Sequence, residues 1–208
     1  NTDIICLQEV YTSNKINEYN TTSLLNYFSK YPYHFIHYTT VSRSSNYGLA
    51  IFSKYPIINK NNITYENTSN GSIFADILVN RDTIRVYNNH LQSVHLNISQ
   101  HKMLDTLSIT YGDNEKNEMR NIVKRFIDAS QKRALQADIL SGHIRNCPYS
   151  TIVCGDFNDT PYSYTYRVVR KNIKDAFIQS GKGIGNTYFG ILPTLRIDYI
   201  FHSKNITS

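Results

Sequence analysis

"TIVCGDFNDTP", residues 151–161, decides how the chain is read. An apolar, β-branched run from Thr151 to Cys154 passes through Gly155 into Asp156, Asn158 and Asp159, and Pro161 follows. β-Branched residues fit a pleated, half-buried surface, so the run predicts a strand. The polar cluster that ends it has two readings. Asp and Asn close turns by hydrogen-bonding their own backbone. Two carboxylates and an amide at the mouth of a buried strand also suit a hard cation and a phosphate.

Upstream, Met119, Ile122, Val123, Phe126 and Ile127 recur at helical spacing, and the pattern continues through Leu135, Ile139 and Leu140 towards Pro148. A long helix therefore feeds the strand that carries Asp156. Further strand-like runs are "DIICLQEV" (3–10), "YGLAIFSKYPI" (47–57), "FADILV" (74–79), "TIRVYNNHLQS" (83–93) and "LRIDYIFHS" (195–203), beside "STIVCGDF" (150–157) itself. A second helix is expected over 17–29 with Leu24, Leu25 and Phe28 inward. Strands interleaved with few helices predict an α/β arrangement of sheets covered by helices.

A length of 208 residues fits one domain with enough chain to bury most of its apolar surface, and 40% hydrophobic with 18% charged residues is ordinary globular material. No run approaches the eighteen or so apolar residues of a membrane-spanning helix. The net charge of +6 favours polyanionic partners. Its most conspicuous basic pairs, Lys124/Arg125 and Lys132/Arg133, fall in the long helix, where a solvated face accounts for them. Of three cysteines, Cys6 and Cys154 lie in apolar runs and behave as small hydrophobes, so no disulfide framework is expected. Asn-x-Ser/Thr triplets arise by chance in a chain this rich in Asn, Ser and Thr and say little about secretion. Asn1 leads at once into a strand-like run, and the chain reads as a piece of a longer one.

Four apolar runs break on chemistry-bearing groups: Gln8 and Glu9, then Asn89 and His90, then Asp156, Asn158 and Asp159, with Asp198 inside the last run. Brought to one sheet edge, such groups suit phosphate-ester hydrolysis, in which a divalent cation takes carboxylate oxygens and neutralises charge on the phosphoryl group.

In order along nearly the whole chain, "DIICLQEV", "YGLAIFSKYPI", "VYNNHLQS", "TIVCGDFNDTP" and "LRIDYIF" resemble the endonuclease/exonuclease/phosphatase superfamily, whose members include DNase I, apurinic endonucleases and neutral sphingomyelinases. The resemblance implies a four-layer α-β-β-α sandwich of two packed mixed sheets. It implies a metal-dependent phosphoesterase that hydrolyses a phosphodiester or phosphomonoester by water attack, either nuclease-like or acting on a small molecule or lipid headgroup. A non-catalytic binding module on a degenerate hydrolase fold is the alternative.

By the same resemblance Glu9 is a metal-binding carboxylate, and His90 donates to the phosphate. Asp156 orients or deprotonates the attacking water, Asn158 holds the scissile phosphate, and Asp198 orients a catalytic His. Asp159 stands open between the site and the turn. The family's catalytic His follows in a further strand with a metal-site Asp, and a first strand carries a metal-site Asn. Residues 1–208 are expected to form a single domain lacking both strands, and hence to be impaired. His202 cannot substitute, because four residues along a strand place it roughly 13 Å from Asp198. Mg²⁺ or Mn²⁺ is expected over Zn²⁺, since the site is rich in carboxylates and amides with no Cys cluster. The expected partner is a phosphate-ester substrate, with nucleic acid among the candidates, and the chain is expected to be a monomer. In the glycine-rich segment 181–194, Lys182 and Tyr188 are candidates to touch a phosphate or stack on a base, although Gly181, Gly183 and Gly185 do not match a dinucleotide fingerprint.

Overall fold

Ile73, Ala75 and Ile77 leave strand β5 (Gly71–Val79) on one side and Phe74 on the other, and both sides are buried. A strand that is apolar on both faces needs a layer against each. Both layers are present in the computed structural model, which describes residues 2–16, 18–94, 113–188 and 195–207.

One sheet has three strands in the order β1-β3-β2, formed by β1 (Ile4–Ser13), β2 (Tyr33–Val41) and β3 (Ser45–Ser53). The other has six, ordered β4-β5-β6-β7-β9-β8. Its members besides β5 are β4 (Ile57–Ile63), β6 (Asp82–His90), β7 (Ser150–Asp156), β8 (Lys174–Asp175) and β9 (Asp198–His202). β6 and β7 run parallel, joined by a crossover that contains helix α2 (Asp113–Arg145), while the remaining pairs are antiparallel. The helices are completed by α1 (Thr21–Tyr27), α3 (Tyr164–Arg170) and α4 (Ala176–Ser180).

Three apolar clusters define four layers. Leu24, Leu25 and Phe28, on and just after α1, pack on Ala50 and Phe52 of the small sheet. Leu49, Ile51, Ile73, Ile77 and Val86 fill the space between the sheets. Ala137, Leu140 and Ile144 of α2, with Tyr166 and Val169 of α3, cover Phe74, Tyr87, Val153 and Phe201 on the outer face of the large sheet. The α-β-β-α sandwich of two packed sheets is thus observed, but only the large sheet is mixed, since both pairings of the small sheet are antiparallel. Fully burying an Ile, Leu or Phe contributes about 1.5–3 kcal/mol, so the central cluster readily offsets burial of the Asn88 amide.

Local differences from the sequence reading have physical causes. The run 47–57 is two strands, because Lys54 to Pro56 turn the chain and Pro56 lacks the N–H a ladder needs. β2 was not anticipated: its mixture of His, Thr and aromatic residues is half-buried and shows no clean alternation. On α2 the inward stripe is Ile122, Ala129, Arg133, Gln136, Ala137, Leu140 and Ile144, whereas Val123, Phe126, Ile127, Leu135 and Ile139 are exposed. The helix is therefore apolar on more than one side, and its inward face uses small and polar residues.

Candidate active site

Strand register sets the first three groups in a row. His90 lies opposite Asp156 across β6 and β7, and Asp156 lies opposite Asp198 across β7 and β9. The approach of β7 to β6 depends on Gly155, whose φ is +134° and where a Cβ would come within 2.0 Å of the Asn89 carbonyl oxygen. Any side chain there would force the strands apart just before the site.

β1 brings Glu9 from the other sheet. Its pairing with β3 slips between Leu7 and Val10, and at the slip Glu9 takes a left-handed φ of 54°. For a non-glycine residue inside a strand this costs on the order of 1–3 kcal/mol and persists only where surrounding contacts enforce it. Those contacts come from Asn88 on β6, which donates to the Leu7 carbonyl at 2.9 Å and the Ala50 carbonyl at 3.0 Å and accepts from Gln8 Nε2. Asn88 thus ties the two sheets together one residue from the bulge. Glu9 projects into solvent, with its Oε1 3.8 Å from His90 Nε2, and Asp156 Oδ2 lies 3.9 Å from the same nitrogen.

After β7 the chain turns through Asn158, again left-handed with φ 49°. Asp156 Oδ1 accepts the Asn158 N–H at 2.7 Å, and Asn158 Nδ2 donates to the Leu91 carbonyl at 3.0 Å, committing one of its two amide hydrogens. Asp159 is held away from this cluster. Its Oδ1 accepts from Thr160 N, and Arg133 Nε reaches its Oδ2 at 3.1 Å. The buried Arg133 also donates to the Gln92 carbonyl, and Gln136 accepts the Gln92 N–H. Lys124 and Arg125 are solvated as expected, but Arg133 is not, because it clamps the helix to the two loops that flank the site.

Burial pushes the Asp156 carboxyl up to about 7; the Asn158 N–H opposes this, while Asp198 and Glu9 add to it. Asp198 starts β9 with its N–H donated to Thr187 Oγ1 at 3.0 Å. His202 lies at the other end of β9, buried, with Nδ1 facing the Ser203 carbonyl. Oxygen donors with excess negative charge are what Mg²⁺ or Mn²⁺ prefers, and in donor chemistry the cluster fits such an ion. Among the described residues, no three His, Cys, Asp or Glu side chains stand close enough to form a ready-made metal cage.

Beside the acids, a cavity of about 670 Å³ opens between the sheets, walled by Cys6, Gln8, Cys154, Phe177, Arg196 and Asp198 among others. All three cysteines are free, and contact with Cys154, together with burial, raises the Cys6 thiol. Of the glycine-rich segment, Lys182 is exposed and Tyr188 half-buried; residues 189–194 lie outside the described residues.

The sequence pointed to Glu9, His90, Asp156, Asn158 and Asp198, and the structure brings them to one end of the sandwich. It did not point to Asn88 or Arg133. The doubled Asn in "YNNH" was the available signal for the first, and Arg133, lying among helical charges, carried none.

Two packed sheets whose strand ends gather acids, an amide and an imidazole define the DNase I-like sandwich class. The chain belongs to the Endonuclease/Exonuclease/phosphatase family, whose model matches residues 1–208. Enzymes of this family act on phosphate esters and generally use divalent metals. Among solved structures, the human Nocturnin catalytic domain with bound sulfate anion is 19% identical with a TM-score of 0.59, over 97% of this chain and 69% of that one. Sphingomyelinase C from Streptomyces griseocarneus is 15% identical with a TM-score of 0.60, over 100% and 73%. A family protein from Leptotrichia buccalis is 17% identical with a TM-score of 0.59, over 99% and 76%. These likenesses concern the fold. A search of curated protein sequences found no match.

Proposed function

We propose that the chain is a divalent-metal-dependent phosphoesterase acting by water attack. The observation that carries this reading is the convergence of Glu9, His90 and Asp156, with both acids within 4 Å of one imidazole nitrogen. Glu9 would hold Mg²⁺ or Mn²⁺, which supplies neutralisation of charge on the phosphoryl oxygens. Asp156, half-buried and pushed up to about 7, suits accepting a proton from the attacking water near neutral pH. His90 donates to a phosphoryl oxygen, and Asn158 offers its uncommitted amide hydrogen to the scissile phosphate. Asp198 holds an imidazole for the same proton transfer; in this reading that imidazole, a metal-site Asp and a metal-site Asn belong to further strands of the intact domain.

The substrate is a phosphodiester or phosphomonoester of a nucleic acid, a small molecule or a lipid headgroup. A binding module on the same fold is the second reading, favoured by the lack of a ready-made metal cage among the described residues. One assay separates the two. Hydrolysis of a simple phosphodiester should require Mg²⁺ or Mn²⁺, drop sharply in Glu9→Gln, and lose about 10²–10³-fold in kcat in His90→Ala. Binding without turnover once those further strands are supplied establishes the module, and turnover indifferent to both substitutions removes these residues from the site.

A further inference from the structure

The solvent side of α2 carries a second apolar row. Val123, Ile127, Leu135 and Ile139 are 49%, 51%, 66% and 48% exposed, and with the exposed Gln131 they recur at every fourth residue. On a helix, residues four apart are surface neighbours and form one continuous ridge. The stripe that packs on the large sheet, Ala137, Leu140 and Ile144, uses none of these positions. The helix also outruns the sheet it covers. Its 33 residues extend about 50 Å, against about 23 Å for the seven of β7. Arg133 reaches Gln92 and Asp159, just past the ends of β6 and β7, so the turns before it continue beyond the edge of the sheet. Of residues 116–128 only Ile122 is buried. Most helical stability comes from packing of an apolar face, and here that packing has to come from outside the sandwich.

The row is symmetric about its centre. Ile127 and Leu135 lie four residues either side of Gln131, and Val123 and Ile139 eight. A twofold axis through Gln131 therefore sets each apolar residue of one copy against an apolar residue of the other. The same operation sets Lys124 against Asp138 of the partner subunit, seven residues either side of the axis, and does so twice. Asp138 Oδ1 accepts the Tyr164 hydroxyl at 2.8 Å, which holds the carboxylate at the helix surface with its second oxygen left for a lysine. Ridges of this i±4n kind interdigitate at a crossing of about −50°, and a self-complementary patch is what a twofold dimer requires.

We propose that this face of α2 is a homodimer interface, in which the helices of two copies cross antiparallel about Gln131. The charges beside the row select a second copy over a lipid surface: Lys124, Asp128 and Asp138 are all exposed there, a rim of both signs, whereas a helix lying on a membrane carries a basic one. A contact made mainly by one helix from each copy falls at the small end of specific interfaces, so the dimer forms in the micromolar range, and the monomer expected from the sequence is its dilute form. The proposal is independent of the phosphoesterase reading, since none of Glu9, His90, Asp156, Asn158 and Asp198 lies on α2.

The test is sedimentation velocity of the 208-residue chain from about 1 to about 200 µM. The wild type is expected to pass from monomer to dimer across that range. Ile127→Glu and Leu135→Glu should each raise the dimer Kd at least about 100-fold, because symmetry places every substitution in the interface twice, while the thermal midpoint of the dilute chain stays where it was. Lys124→Glu and Asp138→Lys should each weaken the dimer about tenfold, and the two together should restore it. Under diamide, Gln131→Cys should cross-link two copies at the axis, whereas the wild type and Asn117→Cys, well away from it, should not. A wild-type chain that stays monomeric at every concentration overturns the proposal. A dimer that Ile127→Glu and Leu135→Glu leave intact overturns it as well, since the interface then lies elsewhere. So does a solution monomer whose binding to phosphatidylserine vesicles is lost in Leu135→Glu, which gives the face to a membrane.

Discussion

The large sheet holds acidic side chains in two ways. Burial would raise the Asp175 carboxyl on β8, but Arg196 Nη1 and Nη2 reach it at 3.1 and 2.7 Å and the Tyr166 hydroxyl at 2.8 Å, and together they hold it below its ordinary value. Asp76 on β5 is ion-paired with Arg85, whose Nη2 donates to its Oδ2 at 2.8 Å. Asp156, two strands from Asp175, has instead Asp198 and Glu9 for neighbours and is pushed up to about 7 by burial and by them. A matched acid becomes a clamp. An unmatched one keeps a proton to exchange and a deficit of positive charge.

The contrast is broken most severely at Asp156. Asp156→Asn should lower hydrolysis by about 10²–10⁴-fold without lowering the thermal midpoint at pH 8, because it removes a charge the fold does not neutralise. A variant that loses activity and unfolds alike would place Asp156 among the clamps. Next comes Asp175→Ala, which leaves Arg196 charged and uncompensated and should cost about 3–5 kcal/mol in urea unfolding, with turnover per folded molecule preserved. If stability barely moves, the matched pair is not what holds β8 to β9.

The smallest effect is one of pH. A carboxyl whose folded pKa is raised binds its proton more tightly when folded, so its contribution declines as pH rises from its unfolded value near 4 and levels off above the folded value near 7. Asp175, with a lowered value, contributes with the opposite sign, and its stabilisation is lost only as pH falls through the acid range. Thermal midpoints of the metal-free chain between pH 4 and 8 should therefore show a decline that Asp156→Asn removes. An unchanged profile in that variant would assign the decline to other groups.

Asp156 and Asn158 were legible because a β-branched run that breaks on acids and amides has few explanations, and Glu9 and His90 because they end runs of the same kind. The Asp175–Arg196 clamp was not legible. Its members are 21 residues apart, each beside ordinary apolar residues, and nothing local says that β8 and β9 will pair. Arg133 was misread for a related reason: charge spacing along a helix is the same whether one arginine faces water or an acid at a loop. Apolar runs alone pointed to sheets covered by helices and the four-layer order came with the family resemblance, while β2 went unseen because its burial is supplied by β3 and not by its own composition.

The hydrogen bond from Asn88 to the Leu7 carbonyl joins residues 81 apart, and with the His90–Asp156 register it makes the candidate site a product of distant pairings among the described residues. Such contacts require closing long loops first, so they are slow to form and report on the finished topology. Neither sheet by itself carries Glu9, His90, Asp156 and Asp198, so a half-folded chain has no weaker version of the site. On the proposed assignment, Glu9 meets His90 and Asp156 only once the second sheet closes on the first.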